Sequence, residues 1–202
     1  MKILHYSVII MMMALLADSL QASNNEETVN GTETDMAMQE AMKRGAPGEH
    51  HKALEPFAGR FTTTVKMWVH PESAPEESTG SAEHMWVLGG RFLKMDVQGD
   101  MGDQNFEGLG YLGYDNIRET YTAIWLDNMN TGIASAQGAF DSATKTYTEN
   151  GTFSCSMTGE KEMPFRGKWQ VIDDETLSYT MYHTSADGNE VKGMEITYKR
   201  VE

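Results

Sequence analysis

From Phe61 to Arg200 the chain passes through segment after segment in which apolar and polar residues alternate, with only turn-length breaks between them. The first segment shows the pattern most plainly. Phe61, Thr63, Val65, Met67 and Val69 fall on one side of the alternation, and Thr62, Thr64, Lys66, Trp68 and His70 on the other. Period two is the repeat of a pleated strand, whose successive side chains point to opposite faces. Residues 71–79, acidic and proline-bearing, read as a loop. Further strand-like runs cover 82–88, 92–98, 105–114, 118–126, 132–140, 146–153, 165–172, 177–184 and 191–200. Gly89-Gly90, Asp115-Asn116, Asp141 to Thr144 and Asp187-Gly188 supply compact turns between neighbours. About ten strands joined this way predict an all-β fold, an antiparallel up-and-down barrel. Closure removes the unpaired edges that an open meander would expose.

One stretch within this pattern invites a different reading. Gly108, Gly110 and Gly113 spell G-x-G-x-x-G, the dinucleotide fingerprint. That fingerprint needs a helix directly after it, because the helix N-terminus receives the pyrophosphate. Here Tyr114-Asp115-Asn116 form a turn, followed by the β-rich Glu119 to Trp125. The glycines are therefore expected to let a strand coil tightly, or to let a bulky neighbour lie across the backbone.

The remaining segments bound the domain. Lys2 followed by the mainly apolar run 3–17 resembles an export signal, too short to span a bilayer comfortably. With Ala17-Asp18-Ser19 as one cleavage site and Ala22 as a second candidate, residues 1–22 are expected to be a signal peptide and the protein to be periplasmic or extracellular, with no stable membrane insertion after cleavage. Residues 23–35 are polar and acidic and read as a disordered spacer, part of a linker over 23–49. Residues 36–44 have helical propensity and can add a short N-terminal helical turn before Gly45, Pro47 and Gly48 stop it. The barrel domain is expected over 50–202. Cys155 is the sole cysteine, so no intramolecular disulfide staples the fold. The net charge of -14 disfavours nucleic acid and anionic lipid as partners. Oligomeric state is not legible.

Candidate site residues come from strand faces. Tyr121, Ala123, Trp125 and Asp127 share one face of their strand, so an inward aromatic face would carry a carboxylate to the barrel mouth. The alternative is that Asp127 and Asn128 only shape the following turn. His84 shares a face with Trp86, and Tyr179 and Met181 share one with His183. Tyr111 is a further inward-capable aromatic. No histidine spacing suits a metal, and neither metal nor cofactor is expected. Catalysis would require Glu107 or Asp127 to meet His84 or a tyrosine hydroxyl, and no nucleophile motif supports it.

Several motifs occur in an order that resembles the bacterial domain of unknown function 1579. They are His51 to Phe61 (H-x-x-L-x-x-x-x-G-x-F), Leu88-Gly89-Gly90-Arg91-Phe92-Leu93, Phe106 to Asp115, Trp125 to Met129, and Ile196 to Arg200. The resemblance covers about residues 50–202. It implies a lipocalin-like, calycin-type barrel, often exported, with no agreed catalytic residues. It also draws attention to Arg91, Trp125 and Asp127. Related barrel families bind haem through a histidine, but no matching histidine motif occurs here. The leading expectation is a non-enzymatic binding barrel for a small, partly apolar ligand, lined by His84, Trp86, Arg91, Tyr111, Tyr121, Trp125, Asp127 and Tyr179. An enzyme with a carboxylate and His or Tyr in the cavity stays open, as does an envelope interaction module with a filled barrel.

Overall fold

The computed structural model describes residues 27–70, 73–101, 104–184 and 188–202. The expected signal peptide lies outside the described residues. The chain divides into two compact units between Arg44 and Gly45. The first contains helix α1, Glu27–Arg44, with Glu40 and Arg44 paired at 3.7 Å one turn apart. The helix begins nine residues before Met36, inside the stretch expected to be a disordered spacer. The helix-favouring run at 36–44 nucleates it, and each further residue then adds a hydrogen bond at small cost.

The second unit is a closed antiparallel barrel of ten strands in sequential order. They are β1 (Gly59–Met67), β2 (Glu76–Val87), β3 (Phe92–Met101), β4 (Gln104–Asp115), β5 (Thr120–Asp127), β6 (Ala134–Asp141), β7 (Thr146–Phe153), β8 (Met163–Asp173), β9 (Thr176–Thr184) and β10 (Glu190–Val201). The ring is completed by β1 against β10, with Thr63 opposite Tyr198 and Phe61 opposite Arg200. Strand β2 starts at Glu76 rather than at residue 82, so the second half of the expected acidic loop is strand, with Glu77 opposite Lys66 on β1 and ion-paired to it at 3.4 Å.

The turns at one end are set by short local signals. Leu88, Gly89 and Gly90 have φ of 51°, 67° and 81°, the left-handed region that glycine enters without strain. Asp115, Asp141 and Asp173 end their strands, and each accepts hydrogen bonds from backbone N–H groups two or three residues on.

That same end is plugged. Helix α2 (Glu49–Lys52) and a 3-10 turn (Glu55–Phe57) precede β1 and bury Leu54 and Phe57 in the barrel core. Side chains from the wall fasten the plug. Arg200 donates to the Ala58 and Pro56 carbonyls at 2.7 and 2.9 Å, Tyr121 donates to the His50 carbonyl at 3.0 Å, and Asn116 to the Ala46 carbonyl at 2.8 Å. The motif His51 to Phe61 thereby acquires a structural meaning. His51, Leu54 and Phe61 are buried, and Gly59 (φ 140°) lies where any Cβ would collide with the Arg200 guanidinium.

Candidate functional site

Burial inside the barrel is graded from one end to the other. On β1, Phe61 and Thr63 are buried (1% and 4% exposed), Val65 is half-buried and Met67 is 41% exposed. Along β9, Leu177 and Tyr179 are buried while Met181 and His183 are half-buried. The inward residues of the other strands follow suit. Ala82, Met95, Gly110, Ala136, Glu149 and Gly167 are buried, whereas Gly80, Val97, Phe106, Ala134, Gly151 and Phe165 are half-buried. Solvent thus reaches inward-facing side chains from the end opposite the plug.

On the boundary between these halves lies a buried carboxylate, Glu149, 5% exposed. Its carboxylate accepts from the Tyr147 hydroxyl at 3.0 Å and from the Tyr179 hydroxyl at 3.4 Å. Two glycines make room for it. Glu149 sits opposite Gly138 on β6 and Gly167 on β8. A Cβ at Gly167 would stand 2.6 Å from Glu149 Oε1 and 2.8 Å from the Tyr179 hydroxyl. Burial pushes the Glu149 carboxyl up, against the two tyrosine hydrogen bonds that pull it down. Burial also raises both tyrosines, so their hydroxyls keep their protons and donate.

Below this, toward the plug, His84 is enclosed by Phe61, Trp169 and Tyr198, with ring centroids 5.2, 6.1 and 5.6 Å away. Its Nδ1 lies 2.9 Å from the Phe57 carbonyl, which can only accept, so the neutral ring carries its proton on Nδ1. Nε2 is buried without a hydrogen-bond partner. Burial lowers the His84 pKa from 6.5 to about 4.

Nearer the open end, Trp125 lies across Gly108 and Gly110. A Cβ at Gly110 would come within 3.0 Å of the indole and 2.8 Å of Met95 Cε, and one at Gly108 would overlap the same indole. This is the bulky neighbour for which those glycines leave space. The third glycine, Gly113, faces the other way, against the Phe92 ring. Asp127 holds the indole in place by accepting from Trp125 Nε1 at 2.9 Å, and its other oxygen accepts from the Met129 N–H at 3.0 Å. Asp127 therefore both shapes the turn and orients an aromatic wall residue. Truncation in Asp127→Ala is expected to cost about 1–3 kcal/mol, since one neutral partner and one ordered turn are lost. Urea unfolding monitored by tryptophan fluorescence reads the loss, and an unchanged midpoint would refute the assignment.

The other expected site residues separate. Trp86 faces inward at the plug and donates to Glu55 at 2.9 Å, and Tyr121 is tied to the plug as described. Tyr179 joins Glu149. Arg91 stays in the β2–β3 turn, donating to the Leu88 carbonyl at 3.1 Å. Tyr111 alternates with the buried Gly110 and Leu112, which puts it on the outer face opposite Lys94 rather than in the interior. Glu107 is likewise on the outer face, with its backbone N–H bonded to Asn128. Among the described residues Asp127 and His84 bond to separate partners, Trp125 and the Phe57 carbonyl, and no hydrogen bond joins Asp127 or Glu107 to His84 or to a tyrosine hydroxyl. The Glu149–Tyr147–Tyr179 cluster escaped the sequence reading. Its signal was a lone glutamate at an inward position of the alternation Tyr147, Glu149, Gly151. Among the described residues no three His, Cys, Asp or Glu side chains are grouped to hold a metal, and no helix is long and apolar enough to cross a membrane.

Residues 46–200 match the family described as protein of unknown function (DUF1579). The chain belongs to the DUF1579 family. The matched region takes in the plug and nearly all of β1 to β10. The crystal structure of Rv2717c from M. tuberculosis superposes on the DUF1579 barrel with a TM-score of 0.60 at 14% identity, covering 78% of this chain and 100% of that one. It shares the fold. A redesigned β-barrel, b11L5F_LGL, aligns at 15% identity with a TM-score of 0.41, over 74% of this chain and 96% of its own. No curated protein matches the chain.

Proposed function

We propose that the barrel is a binding cup for a small, partly apolar molecule that enters at the end opposite the plug. The observation that carries this reading is the graded burial: residues that point inward are sealed near the plug and wetted toward the other end. Val65, Val97, Trp125, Phe165, Met181 and Ile196 give the wetted half an apolar and aromatic lining, and Glu149 with its two tyrosines gives the floor a few polar groups. That combination of an apolar wall and sparse polar anchors suits a small-molecule site. With an export signal at residues 1–22, the cup would operate outside the cytoplasm.

The test uses N-phenyl-1-naphthylamine, whose fluorescence rises in apolar surroundings, titrated into the purified protein. Saturable one-to-one uptake is expected. Ala134 lies opposite Trp125 on the neighbouring strand, so Ala134→Trp would place a second indole in the wetted half. It is expected to weaken uptake by ~10-fold or more, equivalent to about 1.4 kcal/mol. Absence of saturable uptake, or uptake indifferent to Ala134→Trp, would overturn the reading.

A further inference from the structure

We propose that the cup's ligand is a protonated organic amine with an apolar body, its N–H groups received by Glu149 where Tyr147 and Tyr179 converge on that carboxylate between Gly138 and Gly167. The proposal rests on the cup reading and adds the chemical class of the ligand. It follows from counting donors and acceptors. With Glu149 ionised, the cluster holds two hydroxyl protons, and both are directed at the carboxylate, at 3.0 and 3.4 Å. A carboxylate offers about four lone-pair sites and each hydroxyl oxygen keeps acceptor capacity. What remains for a ligand is therefore acceptor positions only. A fatty carboxylate or a phosphate would meet oxygen lone pairs with no proton between them. An ammonium group brings three donors and no acceptor.

Charge points the same way. Burial and the hydroxyls of Tyr147 and Tyr179 act on the Glu149 carboxyl, and among the described residues no cation acts on it. A carboxylate taken out of water needs a counter-charge close by, and an incoming ammonium supplies it. The chain as a whole carries 30 acidic against 16 basic residues, a field that attracts cations and repels anions. Glycine on both neighbouring strands leaves the space that Glu149, Tyr147 and Tyr179 themselves fill. Phe165, on the same strand as Gly167, and Met181, opposite Gly167 on β9, begin an apolar wall toward the open end for a tail.

Three probes of equal chain length separate head-group chemistry from tail burial: dodecylamine, 1-dodecanol and dodecanoate, titrated calorimetrically into the full chain at neutral pH and ~0.15 M salt. Dodecylamine is expected to bind ~10-fold or more tighter than dodecanol, and dodecanoate weakest. Glu149→Gln is expected to erase the preference for the amine while leaving dodecanol within about twofold. An alcohol or carboxylate that binds as tightly as the amine would overturn the proposal, and so would an amine preference that survives Glu149→Gln. Should that variant fail to fold, the Glu149 carboxyl carbon-13 resonance of the wild-type protein reads the same contact. Dodecylamine shifts it and dodecanol does not; an unmoved resonance with the amine bound refutes the assignment. If none of the three probes binds, the cup reading itself falls. If dodecanol binds without amine preference, the cup stands and only the ligand class is lost.

Discussion

Replacing Gly138 by alanine is expected to lower the stability of the barrel by about 3 kcal/mol, the upper part of the usual range for overpacking a filled interior. The added methyl would overlap the carbonyl oxygen of Thr148 and stand 2.8 Å from both Glu149 Cα and the Tyr147 ring. Two of those three obstacles are backbone of the paired strand β7, so no side-chain rotation relieves them. Relief would require β6 and β7 to move apart, with Gly138 directly opposite Glu149. In an open sheet an edge strand can drift. In a closed ring the displacement must be shared by every other strand pair, because no free edge absorbs it. The comparison variant is Gly48→Ala. Gly48 lies at an ordinary φ of -134°, and a Cβ there has nothing within 4 Å. It is expected to change stability by less than about 0.5 kcal/mol. Urea denaturation of both variants decides the matter; a Gly138→Ala protein within that margin of wild type would mean the ring accommodates the methyl.

Gly138 also marks where the sequence stops being informative. Strand positions were legible because period two is imposed by the backbone itself, and the plug-end turns were legible because Gly89-Gly90 and Asp141 carry their own conformational preference. Even the roles of Gly108 and Gly110 could be anticipated, since their strand context excluded a phosphate-binding helix. Face was harder. Tyr111 and Tyr121 look equally inward-capable in isolation, and only the register Gly110 opposite Trp125 decides that Tyr111 points out and Tyr121 in. Convergence was harder still. Tyr147 and Glu149 are two residues apart, but Tyr179 reaches them across β8, from thirty positions along the chain. Nothing local in 177–184 announces that contact. Start of β2 at Glu76 was concealed for a similar reason: its pairing with β1, including Glu77 with Lys66, outweighs the weak β propensity of glutamate.

The second large effect is on acid stability, and His84 carries it. Its pKa falls on folding from 6.5 to about 4, first because burial penalises the imidazolium, with Arg200 adding repulsion and the Phe57 carbonyl opposing both. A depressed histidine means that the unfolded chain binds the proton more readily than the folded one. The stability it contributes is therefore present above pH 6.5, is lost progressively as pH falls toward 4, and is gone below that. Shifts of this size correspond to roughly 3 kcal/mol. Glu149 works in the opposite direction. Its raised pKa favours the folded state when the carboxyl is protonated, so its contribution grows as pH falls and partly offsets the loss at His84. The two are separated by subtraction. In His84→Gln the side-chain amide can still donate to the Phe57 carbonyl, yet it cannot charge. The unfolding free energy of wild type minus that of His84→Gln, measured in urea from pH 7.5 down to 4, is expected to fall by roughly 3 kcal/mol. A difference that stays flat across this range would show that His84 charges without penalty, and that the aromatic enclosure of Phe61, Trp169 and Tyr198 admits water. The charged ring keeps its bond to the Phe57 carbonyl, so the penalty comes from burial against the plug residue Phe57. Opening the plug to water before the rest of the barrel is the expected relief. Exchange of the Phe57 and Ala58 amide protons, whose acceptors are the carbonyls of Leu54 and Glu55, would then quicken at acid pH ahead of those in β7 and β8.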